Sequence, residues 1–151
     1  MMAGNADGFP VRCDVSTTSS YSRGEKRTTE IIDILVKPYW SHRGAAQFLD
    51  LVRSRYYDGV IFHRSMPDFV TQFGIALDYN VRTREQKNGM QDDYDDVDAS
   101  RRGDIKFKRG CLSFAGYSRS TEVFVMNAGV SESELGSLAT SVGRGLSGTS
   151  W

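Results

Sequence analysis

The chain has 151 residues, 39% hydrophobic and 25% charged, which is enough for one modest core and too few for more than one or two domains. Nineteen basic and nineteen acidic residues give a formal net charge of zero, so neither nucleic acid nor an anionic membrane surface is favoured as a partner. No apolar run could cross a bilayer and the first residues lack a signal-peptide core, which leaves the cytoplasm as the default expectation for its location.

The first part of the chain predicts a disordered leader. Residues 1–27 are rich in Ser, Thr, Gly and Arg and contain few aliphatic side chains. An organelle-targeting segment is the alternative interpretation, and its acidic residues Asp7, Asp14 and Glu25 argue against it. The sequence therefore predicts a leader over residues 1–27 and a folded domain over residues 28–151.

A strand and a helix are predicted next. Residues 30–36 are rich in Ile, Leu and Val and are typical of a strand. Ser41 is a suitable N-cap for the helix that follows, and Gly59 ends the connection to the next strand. The predicted helix carries Ala45, Phe48, Leu51, Val52 and Arg55.

The most informative run of the chain spans residues 60–74. Residues 60–64 predict a second strand that ends in Phe62, His63 and Arg64. After two more residues the chain reads Pro67-Asp68-Phe69-Val70-Thr71-Gln72-Phe73-Gly74. This run sets a fixed cation beside aromatic and amide side chains, a combination that suits a prolyl ring and its amide. From the residues alone, the alternative interpretation is a half-buried strand with a surface arginine.

The same run closely resembles the active-site signature of the cyclophilin family of peptidyl-prolyl cis-trans isomerases, which reads F-H-R-x-x-P-x-F-x-x-Q-x-G. The wider resemblance extends from about Thr29 to about Gly148, and residues 108–115 and 121–125 resemble two further strands of the family. It implies a mainly β fold, an antiparallel β-barrel with a flanking helix. The final helix and closing strand of the family are not recognisable after Arg144, so we expect an incomplete barrel with an unpaired edge.

The resemblance also implies roles for individual residues. Arg64 corresponds to the catalytic arginine, and Gln72 orients it and binds a substrate carbonyl. The predicted substrate-binding side chains are Phe69, Val70, Glu122, Phe124 and Leu138. For Phe124 the alternative interpretation is a plain core phenylalanine. Strand alternation would not place Phe69 beside Gln72 unless the strand begins after the Pro67-Asp68 turn.

Two of these positions depart from the family pattern. Glu122 stands where most relatives have a glutamine, and we expect its acid to face Arg64 and compete with substrate for the guanidinium. Leu138 lies near the position of a pocket histidine. The loop over residues 116–120 is also shorter than the family's substrate-contacting loop.

The resemblance predicts an isomerase that needs no cofactor and acts on proline-containing peptides or unfolded protein segments. The alternative is a catalytically weak or inactive module that binds proline-containing segments. Cys13 and Cys111 are predicted to be free thiols. The acidic run over residues 92–98 predicts a solvated loop, and no metal site is expected. Tyr39 and Trp40 are predicted to cover one end of the core, or else to contact a partner, and the oligomeric state is left open.

Overall fold

The computed structural model describes residues 8–21, 24–38, 40–86, 108–115, 121–128 and 146–147. These residues form two antiparallel sheets and two helices, which confirms the mainly β prediction. The elements in chain order are β1 (Phe9–Tyr21), β2 (Gly24–Val36), α1 (His42–Arg53), β3 (Arg64–Ser65), β4 (Val70–Phe73), α2 (Tyr79–Gln86), β5 (Leu112–Phe114), β6 (Val123–Met126) and β7 (Leu146–Ser147).

Strands β1 and β2 form a long antiparallel hairpin in which Phe9 pairs with Val36 and Tyr21 with Gly24. The prediction of a disordered leader is therefore wrong for residues 9–21 and 24–27, and the predicted boundary at residue 28 falls inside β2. The hairpin forms because apolar side chains alternate with polar ones on both strands, so one face can be buried. The side chains on this inward face include Val11, Cys13, Ile32, Ile34 and Val36.

Helix α1 begins where Ser41 caps it. The Ser41 Oγ accepts a hydrogen bond from the backbone N–H of Gly44 at 3.0 Å, as the sequence predicts. Its buried face carries Ala45, Phe48 and Leu51 against the main core. The predicted helix is too long, because α1 ends at Arg53 and Arg55 has a left-handed φ of 60°.

The second sheet has the strand order β3-β4-β6-β5-β7. One face packs on the main core through side chains that lie opposite one another across the strands, namely Phe73, Leu112, Phe114, Val123 and Val125. The other face carries a smaller apolar cluster. This two-sided packing places Arg64, Val70 and Gln72 of the long motif on the face away from the main core.

One further prediction about the elements is wrong. Residues 60–63 are not a strand, because antiparallel pairing with β4 starts only at the hydrogen bond from the His63 N–H to the Gln72 carbonyl, and Ile61 and Phe62 are exposed. A two-residue strand, β7, does follow Arg144 and pairs with β5. Over the described residues the two sheets remain open, as expected for an incomplete barrel.

The hairpin, α1 and the core face of the second sheet enclose a cleft of about 820 Å³. Helix α2 was not predicted from the sequence. It is capped by Asp78, whose carboxylate accepts hydrogen bonds from the N–H groups of Asn80 and Val81. Neither described helix is long and apolar enough to span a membrane.

Candidate active site

Arg64 and Gln72 meet because a tight turn returns the chain on itself between β3 and β4. The Phe69 N–H donates to the Met66 carbonyl at 2.9 Å, and the Met66 N–H donates to the Val70 carbonyl at 2.8 Å. The resulting register places Arg64 directly opposite Gln72. Side chains of directly opposed residues lie on the same face of a sheet, so this pair shares one side.

The guanidinium of Arg64 is oriented by two contacts. Its Nη1 donates to Gln72 Oε1 at 3.0 Å and its Nη2 lies 3.1 Å from Met66 Sδ. Arg64 remains exposed. A guanidinium has five N–H donors, so a fork held by two contacts retains donors for a ligand above the sheet.

The register continues this row across the sheet. Gln72 lies opposite Phe124, and Phe124 lies opposite Ser113. Two residues further along these strands, and on the same face, Val70 lies opposite Met126. The cation and the amide therefore border an apolar cluster on the same face, which comprises Val70, Cys111, Phe124 and Met126 with Trp40, Phe69 and Ala115 packed against it.

Five of the seven predicted site residues are brought together in this way: Arg64, Phe69, Val70, Gln72 and Phe124. Phe69 precedes β4, so it reaches the same cluster as Val70 despite the alternation within the strand. Val70 and Phe124 are only 4% and 5% exposed, so their side chains form the floor of the site. Their roles toward a substrate stay predictions, and Leu138 lies outside the described residues.

Glu122 does not pair with Arg64 as predicted. Its Oε1 lies 2.9 Å from the Nε2 of His63, the residue just before Arg64. Both side chains are partly shielded, with 25% of His63 and 17% of Glu122 exposed. The carboxylate of Glu122 is therefore hydrogen-bonded to the side chain of His63.

Behind this pair, Gly74 brings the end of β4 close to the start of β6. A Cβ on Gly74 would lie 2.3 Å from the carbonyl oxygen of Thr121. The hydroxyl of Tyr56 donates to the Gly74 carbonyl at 3.1 Å, and the hydroxyl of Tyr57 donates to the Thr121 carbonyl at 3.0 Å. Burial, with smaller contributions from Tyr56 and Cys13, raises the pKa of Tyr57 well above its usual value and keeps that donor protonated.

Asn127, which directly follows β6, stabilises the turn between β3 and β4. Its Nδ2 donates to the Met66 carbonyl at 2.8 Å, and its backbone N–H donates to the Phe69 carbonyl at 2.8 Å. This role of Asn127 was not predicted from the sequence, nor were His63, Tyr56 and Tyr57 as supports of the site. An asparagine directly after an apolar strand is a signal for such a role, because its amide satisfies neighbouring backbone groups.

Trp40, which the sequence predicts at one end of the core, packs against the smaller apolar cluster beneath the site. The Lys37 ammonium lies 4.6 Å from the centre of its ring. Among the described residues, no group of three or more His, Cys, Asp or Glu side chains is arranged to hold a metal ion. Tyr39, the acidic run over residues 92–98 and the loop over residues 116–120 lie outside the described residues.

Comparisons with known proteins show the family to which this chain is related. The family model described as cyclophilin type peptidyl-prolyl cis-trans isomerase/CLD matches residues 30–133, well over half of the chain. The curated protein "Peptidyl-prolyl cis-trans isomerase ppi1" of Schizosaccharomyces pombe is 46% identical over 48 residues, which are 30% of this chain and 31% of that protein. The aligned part thus spans about a third of this relative's length. The match to the family model includes every predicted site residue except Leu138.

Proposed function

Because this chain belongs to the cyclophilin-type peptidyl-prolyl cis-trans isomerase family, we propose that it accelerates the cis-trans isomerisation of X–Pro bonds in peptides and unfolded protein segments. The observation that carries the proposal is the guanidinium of Arg64, held by Gln72 at 3.0 Å on the sheet face that carries Val70 and Phe124.

The reaction defines what such a site has to do. An X–Pro bond crosses a barrier of about 18–20 kcal/mol, because the twisted state loses the double-bond character of the planar amide. Twisting localises a lone pair on the prolyl nitrogen. To bring relaxation from tens of seconds to about a millisecond, a catalyst must lower the barrier by roughly 6–7 kcal/mol, at 1.36 kcal/mol for each tenfold.

Arg64 is the donor for that lone pair in our proposal. A guanidinium that donates to the pyramidal nitrogen, or to the adjacent carbonyl oxygen, binds the twisted amide more strongly than either planar form, and this difference is what accelerates the reaction. Arginine stays charged at any working pH and holds its donors in a rigid fork. Gln72 fixes the direction of that fork through its Oε1.

The apolar cluster supplies the second half of the mechanism. Phe69 is half-buried at its edge and offers a surface for the prolyl ring, with Val70 and Phe124 beneath it. An apolar surface beside the guanidinium lowers the local dielectric constant, so the contact between Arg64 and the twisted amide is weakened less by water. No nucleophile takes part, because no covalent bond is broken.

The test is a protease-coupled assay on an Ala-Pro peptide. We expect Arg64→Ala to lower kcat/KM by about a hundredfold, the usual cost of removing one preorganised donor. Arg53→Ala is the matched control, because Arg53 is an exposed arginine at the end of α1. Equal rates for the wild type and Arg64→Ala would contradict the proposal.

A module that binds proline-containing segments with little turnover is the second candidate. The exposure of Arg64 favours it, because water around an exposed guanidinium weakens its contact with the twisted amide more than it weakens the apolar contacts that bind a peptide. Binding of an Ala-Pro peptide without any rate that depends on Arg64 would select this candidate.

A further inference from the structure

We propose that the contact between His63 and Glu122 positions Arg64, because it holds an acidic side chain away from the guanidinium that the isomerisation needs. The inference rests on the proposed function and adds a positioning pair to it. In this arrangement His63 keeps Glu122 engaged, and Arg64 stays with Gln72 and above the apolar cluster.

The geometry of the pair is that of a directional hydrogen bond. His63 Nε2 lies 2.9 Å from Glu122 Oε1. An ionised carboxylate only accepts hydrogen bonds, so Nε2 carries the proton and donates. Because both side chains are partly shielded from solvent, the bond is less weakened by water than one on an open surface.

Glu122 is near enough to Arg64 to compete for it. The Ala115 N–H donates to the Glu122 carbonyl at 2.8 Å, so the β5–β6 ladder continues through Glu122. Alternation then places Glu122 on the same face as Phe124, Gln72 and Arg64. Two strand spacings of about 4.8 Å and two residues of about 3.3 Å rise separate the Cα atoms of Arg64 and Glu122 by about 12 Å, which two long side chains can bridge.

If Glu122 were released, its negative charge would favour a contact between Arg64 and Glu122 over the contact between Arg64 and Gln72. A carboxylate attracts a guanidinium through its opposite charge and can accept two parallel N–H···O bonds from it, whereas the amide of Gln72 is neutral and accepts through one oxygen. A released Glu122 would therefore displace Gln72 from Arg64, and a substrate would then have to break an ion pair to reach the guanidinium. The hydrogen bond from His63 opposes that competition because it holds the Oε1 atom of Glu122.

The experiment is a double-mutant cycle on the full chain, with kcat/KM on an Ala-Pro peptide as the readout. We expect His63→Ala to lower kcat/KM about fivefold, the equivalent of an ion pair of about 1 kcal/mol that substrate must displace. In the Glu122→Gln background the same His63→Ala change should cost less than twofold, because no acid is released.

His63→Gln is the conservative control, since its amide keeps a donor for Glu122, and we expect its kcat/KM to remain within twofold of the wild type. His63→Leu replaces His63→Ala if the smaller side chain unfolds the protein. Equal losses from His63→Ala in both backgrounds would overturn the inference, because a merely structural role of His63 would not depend on the charge of Glu122.

A second readout separates this inference from the proposed function. The NMR signal of the Arg64 Nε–H group should shift in His63→Ala and return toward its wild-type position in His63→Ala/Glu122→Gln. An unmoved signal in His63→Ala would overturn the inference even if the wild type is active. A wild type without turnover would contradict the proposed function, whereas the signal would still test the positioning role.

Discussion

Gly74 shows at the scale of one residue why the long motif ends in glycine. Its φ of 105° is one that side-chain-bearing residues rarely adopt, and its Cα faces the carbonyl oxygen of Thr121. This close approach sets the distance between β4 and the start of β6, where Glu122 and Phe124 follow. A glycine at this position therefore supports the site without touching a substrate.

We predict that Gly74→Ala lowers the free energy of unfolding by at least about 3 kcal/mol, because the strained φ adds to a clash with backbone that cannot move aside. Gly59→Ala is the matched control, since Gly59 also has a positive φ, of 74°, but a Cβ added to it would meet no atom within 4 Å. We expect that variant to lose only about 1–2 kcal/mol. Urea unfolding measures both changes, and equal losses would contradict the steric argument.

At the scale of elements, the parts that follow from local signals were predictable from the sequence. Ser41 marked the start of α1, and the spacing of Ala45, Phe48 and Leu51 marked its buried face. The contact between Arg64 and Gln72 followed from the family signature, because strand periodicity alone does not say which strand pairs with which. Local signals therefore predicted α1, and the family pattern predicted the contact between Arg64 and Gln72.

The parts that depend on pairing between distant segments were harder to predict. The alternation of Val11, Cys13 and Val15 does indicate a strand, but the Ser and Thr content of the same segment resembles a disordered leader. Only the partner strand β2 decides between the two. The contact between His63 and Glu122 was missed for the same reason, since 59 residues separate its members.

We predict that Ser41→Ala destabilises the protein by about 1 kcal/mol, because the first turn of α1 loses the acceptor for the Gly44 N–H. Ser54→Ala is the matched control, because Ser54 is exposed at the C-terminal end of α1 and its hydroxyl only donates to the Leu51 carbonyl. We expect this variant to lose less than about 0.5 kcal/mol. Thermal unfolding compares the two variants, and equal losses would contradict the capping role.

At the scale of the whole molecule, the hairpin is part of the folded core. Val11 on β1 is 9% exposed and packs in the main core cluster, as do Ile34 and Val36 on β2. The family match begins at residue 30, inside β2, so β1 adds a strand outside the matched region. Together with α1, the hairpin borders the cleft of about 820 Å³ over the core face of the second sheet.

We predict that Val11→Ala costs about 2 kcal/mol of stability, because it removes buried methyl groups from a packed cluster. Thr18→Ala, on the exposed part of the same strand, should change stability by less than about 0.5 kcal/mol. Urea unfolding of both variants is the measurement. If Val11→Ala were as mild as Thr18→Ala, the hairpin would not be part of the core and the leader interpretation would return.

The central claim is that a guanidinium in a fixed orientation, and not positive charge alone, stabilises the twisted prolyl amide. NMR exchange spectroscopy on an Ala-Pro peptide measures the cis-trans rate directly, and line broadening on titration gives peptide affinity in the same samples. For Arg64→Lys, which keeps the charge but loses the fork held by Gln72, we expect at least a tenfold slower exchange with affinity within about threefold of the wild type. Exchange as fast in Arg64→Lys as in the wild type would contradict the account.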